Sequence, residues 1–175
     1  MQSTLVLFTQ NSNVMKLRFF ALLIGLFVVS AASGQEYQSA VGLRLGFPVS
    51  ASYKTFVNDN AAVEVYAGFR GYGSYSWVNI AGAYQVHNPI NDVDGLQWYY
   101  GGGVSVFFWN YDFDTNFSST SFGLQGYLGL DYTFENTPIS VTADWVPTFF
   151  LGGDLNVGTF GAGFGSLGVR YIIAE

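Results

Sequence analysis

Cysteine is absent from the 175 residues, which excludes a disulfide framework, a thiolate metal site and an anchor built on a lipidated cysteine. Charge is scarce as well. Only 10% of residues are charged, against about 25% in an ordinary soluble domain, and a soluble protein so poor in charge would expose large apolar patches and aggregate. Long apolar runs are missing after Gly34, so nothing there approaches the ~20 residues a helix needs to cross a bilayer. Basic residues are few: beyond Gly34 there are only Arg44, Lys54, Arg70 and Arg170, against twelve acidic ones. Nucleic-acid binding therefore has no electrostatic footing.

What is present points to β structure in an apolar solvent. Half the residues are hydrophobic, 19% are aromatic and 22 are glycine, a composition that disfavours helix interiors. The length suits one domain.

The first 34 residues read as a cleavable leader. Met15-Lys16-Leu17-Arg18 supplies a basic start, Phe19 to Val29 an apolar middle of eleven residues, and Ser30-Ala31-Ala32-Ser33-Gly34 the small residues of a cleavage site. This is the order of a secretory signal peptide. The expected organisation is thus a signal peptide over 1–34, with the true start at Met15, and a mature domain over 35–175.

From residue 40 the chain alternates with period two in eight stretches: about 40–47, 49–57, 61–71, 75–87, 96–109, 121–134, 138–148 and 159–173. Turn signals separate them, among them Asn58-Asp59-Asn60, Asn88-Pro89 through Gly95, and Glu135-Asn136-Thr137-Pro138. Strands of about ten residues match a tilted crossing of lipid, and only a closed barrel satisfies every strand's backbone groups there. The sequence predicts an all-β fold, an eight-stranded antiparallel up-and-down transmembrane β-barrel with both termini on one side.

Seven charged residues fall inside these stretches: Arg44, Lys54, Glu64, Arg70, Asp131, Asp144 and Arg170. All lie on the less apolar face, as expected if the other face meets lipid, where Arg or Lys costs about 2–4 kcal/mol at the midplane. They are expected to form a charge network in the lumen, with Lys54, Glu64, Asp131 and Arg170 in a lower layer and Arg44, Arg70 and Asp144 above. The partner of Asp131 is either Lys54 or Arg170. The outward aromatics form two levels. Tyr84, Trp98, Tyr100, Tyr132, Phe134 and Tyr171 lie towards the terminal end, and Phe47, Phe69, Phe108, Phe122 and Trp145 towards the other. Two such belts flank the apolar band of a membrane barrel.

Several segments carry a resemblance: Gly42-Leu43-Arg44-Leu45-Gly46, Trp98-Tyr99-Tyr100-Gly101-Gly102-Gly103, Gly129-Leu130-Asp131-Tyr132-Thr133-Phe134, Pro138 to Pro147, and Gly168-Val169-Arg170-Tyr171. On these the chain resembles the small bacterial outer-membrane barrels, the group that includes the OmpA transmembrane domain and OmpX-like proteins, and more closely the short porin-like outer membrane protein β-barrels. The resemblance implies Sec-type export, insertion by the barrel-assembly machinery, and surroundings of outer-membrane lipid and lipopolysaccharide. The family has no single activity.

Three motifs are weighed against plainer readings. Gly163-Phe164-Gly165-Ser166-Leu167-Gly168 has a dinucleotide-binding spacing but sits inside the last strand, where no helix follows. Asp112-Phe113-Asp114-Thr115-Asn116 opens like a calcium loop, yet Phe117 stands where glycine is needed and Gly123 where a carboxylate is needed. His87, the single histidine, is expected beside the Asn88-Pro89 turn, without the nucleophile and orienting acid that hydrolytic chemistry requires. No catalytic, metal or cofactor residue is expected.

An eight-stranded barrel has an interior only wide enough for side chains to fill. The favoured function is a non-enzymatic outer-membrane barrel, plugged, with a structural or surface-interaction role through the loops at 110–120 and 147–158. A narrow pore or hydrophobic-solute channel is the alternative, and a lipid A-modifying enzyme the third.

Overall fold

The structure is a computed structural model that describes residues 37–73, 75–111, 117–151, 160–161 and 164–174. The signal peptide, the Met15 start and the Asp112–Asn116 segment lie outside the described residues.

Ten strands are seen among the described residues: β1 Ser39–Gly46, β2 Val49–Phe56, β3 Ala61–Tyr72, β4 Tyr75–Pro89, β5 Leu96–Tyr111, β6 Phe117–Thr133, β7 Ile139–Trp145, β8 Thr148–Leu151, β9 Phe160–Gly161 and β10 Gly165–Ala174. They form eight staves. The pairs Trp145↔Leu128 and Thr148↔Gln125 keep one register along β6, so β7 and β8 are two parts of a single stave. The interruption falls at Pro147, which has no N–H to give the ladder; its carbonyl still accepts from Gly126 N at 2.9 Å. β9 pairs β8 and β10 pairs β7, with the register shifted by one residue between the two pairings, so β9 and β10 share the stave next to that of β7 and β8. Each stave is antiparallel to the next, and β1 closes on β10. The fold is the closed eight-stranded up-and-down barrel that the alternation predicts.

Alternation sets the two faces throughout. In β2 the sequence Val49-Ser50-Ala51-Ser52-Tyr53-Lys54 runs exposed, buried, exposed, buried, exposed, buried. The outward residues are apolar and strongly exposed, with Leu167 at 64%, Val104 at 62% and Phe69 at 60%. The inward residues include most of the buried polar groups.

Two of the long loops are shorter than expected. Phe117 to Thr120 belong to β6 and pair with Phe108 to Tyr111 of β5, while Thr148 to Leu151 form β8. Both segments fall in the predicted loops 110–120 and 147–158, where Asn110, Ser118 and Ser119 are turn formers and Pro147 has no N–H for a ladder. In the closed barrel the neighbouring stave gives them partners. At the terminal end the turns are tight. Asn58 Oδ1 accepts from Asn60 N at 3.1 Å and Ala61 N at 2.8 Å, an Asx turn.

Gly95 ends the turn between β4 and β5 at φ 78°, and its carbonyl accepts from Thr133 N at 2.8 Å. A Cβ there would press on the Thr133 carbonyl oxygen. Gly95→Ala is expected to lower stability by at least the ~1–2 kcal/mol of a left-handed non-glycine residue. Urea unfolding of the barrel in detergent measures this, and an unshifted midpoint would contradict it.

Candidate functional site

The inner surface carries the polar groups, and its chemistry is layered. At the terminal end Tyr37, Ala40, Phe56, Ala62 and Ile172 pack into an apolar floor, with the Tyr37 and Phe56 rings edge to face at 5.2 Å. At the opposite mouth Trp77, Phe107, Trp109 and Phe150 form an aromatic lid joined by Phe164. Between floor and lid lie charges.

Glu64 is the centre of the charged layer and is fully buried. It accepts from Arg170 Nη2 at 2.6 Å, from Arg44 Nη1 at 2.9 Å and from Gln85 Nε2 at 2.8 Å. Arg44 also donates to Asp144 Oδ2 at 2.7 Å, and its guanidinium lies over the Tyr66 ring at 4.7 Å. Asp144 takes a further bond from Tyr99 Oη at 2.7 Å, while its other oxygen accepts from the Ser166 hydroxyl at 2.9 Å and the Ser166 amide at 3.1 Å. Lys54 Nζ donates to Asp131 Oδ2 at 2.9 Å, and Tyr37 Oη donates to the same oxygen at 3.1 Å. Arg170 Nη1 lies 3.9 Å from Asp131 and joins the two halves.

The network draws one or more members from every stave: Arg44 from β1, Lys54 from β2, Glu64 from β3, Gln85 and His87 from β4, Tyr99 from β5, Asp131 from β6, Asp144 from β7 and Arg170 from β10. Three cations (Arg44, Lys54, Arg170) face three anions (Glu64, Asp131, Asp144), so the layer is neutral. Above it Tyr66 and Tyr127 share a hydroxyl contact at 2.9 Å and both bond Gln125 Oε1. A cavity between these groups and the lid measures about 20 Å³, room for a single water.

Six of the seven predicted lumen charges meet here. Arg70 does not. It sits near the mouth with its guanidinium 3.7 Å from the centre of the Phe47 ring, because β3 carries it above the charged layer. The predicted two layers are one, since Glu64 touches a guanidinium from each. The partner of Asp131 resolves to Lys54, with Arg170 more distant.

His87 corrects the expectation of a turn-proximal residue. It is buried in the lumen, stacked on Tyr99 with centroids 4.9 Å apart and tilted against Phe56 at the same distance. Its Nε2 lies 2.7 Å from Lys54 Nζ. An ammonium has only donors, so Nε2 accepts and the ring proton sits on Nδ1. The sequence signal was present: His87 shares inward parity with Gln85 and Ala83. It was masked by the neighbouring Asn88-Pro89, yet β4 continues through both residues.

Among the predicted belt residues, Tyr84, Phe69, Phe108, Phe122, Trp145, Trp98, Phe134 and Tyr171 are exposed on the outer wall. Tyr100 and Tyr132 are half-buried there, Tyr100 against Trp98 at 5.5 Å and Tyr132 against Phe134 at 4.8 Å. Phe47 departs from its belt. It lies past the end of β1, where alternation no longer governs it, and its ring meets Trp77 at 5.1 Å and Phe164 at 5.6 Å over the mouth. The Gly165-to-Gly168 part of the dinucleotide-like spacing is strand within β10.

No family model and no curated protein matches the chain. Two solved structures are similar. Neisserial surface protein A is 18% identical with a TM-score of 0.58, over 76% of this chain and 92% of that one. The N-terminal β-barrel domain of OprF from Pseudomonas aeruginosa is 18% identical with a TM-score of 0.57, over 78% of this chain and 98% of that one. At that identity the likeness establishes the fold.

Removing one partner of a buried ion pair leaves an unpaired charge and costs about 3–5 kcal/mol. Asp131→Ala is expected to destabilise the barrel by that order, and adding Lys54→Met should recover part of the loss, more than adding an Arg170 replacement does. Reversible urea unfolding of the single and double variants reads this as a coupling energy. Near-neutral single variants would mean that water reaches the charges. In the same assay His87→Ala should be destabilising by about 1–3 kcal/mol, because it leaves a packing void and takes an acceptor from Lys54.

Proposed function

We propose that this protein is a non-enzymatic integral barrel of the bacterial outer membrane, closed along its axis by its own side chains, with a structural or surface-interaction role. The observation that carries the reading is the neutral, hydrogen-bonded layer spanning all eight staves, sealed between an apolar floor and an aromatic lid. A lumen filled in this way has little space for a solute.

The outer wall supports the membrane part. In water its continuous apolar face would far exceed the few hundred Å² that a soluble monomer exposes. Aromatic rings towards both ends suit the two interfaces. Residues 1–34 are read as the export leader, removed by Sec-type processing, after which the assembly machinery inserts the barrel among outer-membrane lipid and lipopolysaccharide. The connections around 112–116 and 152–159 are the surface proposed for partners, since the other turns are short.

The non-enzymatic reading rests on His87. Its ring is packed between Tyr99 and Phe56 with Lys54 on Nε2, an arrangement that leaves it no path to a lipid substrate.

Two measurements test this reading. The protein from an outer-membrane fraction should migrate differently in gels before and after boiling, and in planar bilayers it should insert without conducting. Regular channel events would replace the plug with a narrow pore, and recovery as a soluble periplasmic monomer would remove the membrane assignment. Leu167→Arg, on the outer wall, should lower stability in lipid vesicles by about 2–4 kcal/mol if it lies near the midplane.

A further inference from the structure

We propose that Arg70, packed against Phe47 at the barrel mouth, is a binding site for a phosphate-class oxyanion. Three observations lead there. The first is charge balance: Arg44, Lys54 and Arg170 are each ion-paired with Glu64, Asp131 or Asp144, so the lumen is neutral without Arg70. Among the described residues Arg70 has no ion pair, and its Nε is buried without a hydrogen-bond partner. A surplus cation at the mouth has its counter-charge to find outside the described chain.

The second is geometry. The guanidinium centre lies 3.7 Å from the centre of the Phe47 ring, and Phe47 is in turn fixed against Trp77 and Phe164. The ring packs against the guanidinium, whose Nε makes no hydrogen bond among the described residues. A guanidinium is a planar fork matched to two oxygens of a phosphate or carboxylate. Packing on the ring also restrains a long side chain beforehand, so less freedom is lost on binding.

The third is position. Arg70 stands near the end of β3 opposite the chain termini and pairs across the strand with Trp77, whose ring forms part of the lid. It is partly exposed, unlike the three buried cations below it. An anion reaches this site from the mouth without passing the charged layer.

The phosphate has two sources: the headgroup of a surrounding lipid or a free ion. The site itself does not depend on the proposed plug, although a lipid source rests on the membrane reading. The test uses the refolded barrel in a non-ionic detergent. Inorganic phosphate is one probe, and mixed micelles containing phosphatidic acid are the other, with phosphatidylcholine micelles as control. Phosphorus NMR reads binding. Whichever probe binds the wild type should bind Arg70→Gln at least tenfold more weakly. Arg70→Lys should fall between, because it keeps the charge and loses the fork, and Phe47→Leu should weaken binding several-fold with the cation in place. Response to phosphatidic acid alone identifies a lipid headgroup, and response to inorganic phosphate identifies a free ion. Either supports the site. Absence of binding to both probes, or binding that Arg70→Gln leaves unchanged, overturns it. Heat-modifiable migration confirms that each variant is folded; if Arg70→Gln does not fold, Arg70→Lys and Phe47→Leu decide the matter by the same criteria. An insulating barrel that binds neither probe refutes the site and leaves the plug standing. A conducting barrel that binds through Arg70 does the reverse.

Discussion

A charge inside an eight-stave barrel cannot be solvated by bulk water, and the rest of the interior is arranged around that constraint. The effective penalty for burying an ion is several kcal/mol, and the lumen contains six of them. They persist because each carboxylate collects two or more donors. Glu64 takes bonds from two guanidiniums and an amide, and Asp144 from a guanidinium, a phenol and Ser166. The tyrosines matter for this reason. Tyr37 and Tyr99 bring a hydroxyl to a carboxylate while their rings fill space that water would otherwise occupy.

The outer wall faces the opposite problem, and the same alternation solves both. Each stave presents one polar and one apolar row, so a single strand supplies the charge network on one side and the apolar belt on the other. Closure of the ring leaves no unpaired edge. The apolar layers at floor and lid then set how far water penetrates from either end. Buried Trp77, Phe107 and Phe150 on one side, and Phe56 with Tyr37 on the other, keep the ionic layer in surroundings of low polarity, where its bonds are strong.

The strand faces were legible because period two is a local property: Lys54 lies inward whatever its neighbours do. Contacts across the lumen were not, since they depend on how far each stave is staggered against the next. Asp131 and Lys54 are 77 positions apart in the chain, and no local pattern chooses Lys54 over Arg170. Arg70 shares parity with Glu64 but lies six residues further along β3, which places it outside the layer. His87 and Phe47 were misplaced for opposite reasons. The sequence puts His87 at the end of its stretch beside a turn, whereas the strand runs on through Asn88 and Pro89, and it puts Phe47 in the strand, whereas β1 ends at Gly46.

Alternation and the charge network also select register in complementary ways. A slip of one residue between staves turns every side chain to the wrong face, so the apolar pattern alone excludes it. A slip of two residues keeps every face correct, and hydrophobicity hardly distinguishes it. The charges do. Moving β2 by two places would seat Ser52 or Phe56 opposite Asp131 in place of Lys54, and the same slip in β3 would carry Glu64 away from both Arg44 and Arg170. Each leaves a buried ion without its partner, at about the 3–5 kcal/mol of a broken buried pair. Odd slips are rejected by the outward apolar rows and even slips by the inner charges, so the two halves of the pattern together define one stagger for the ring.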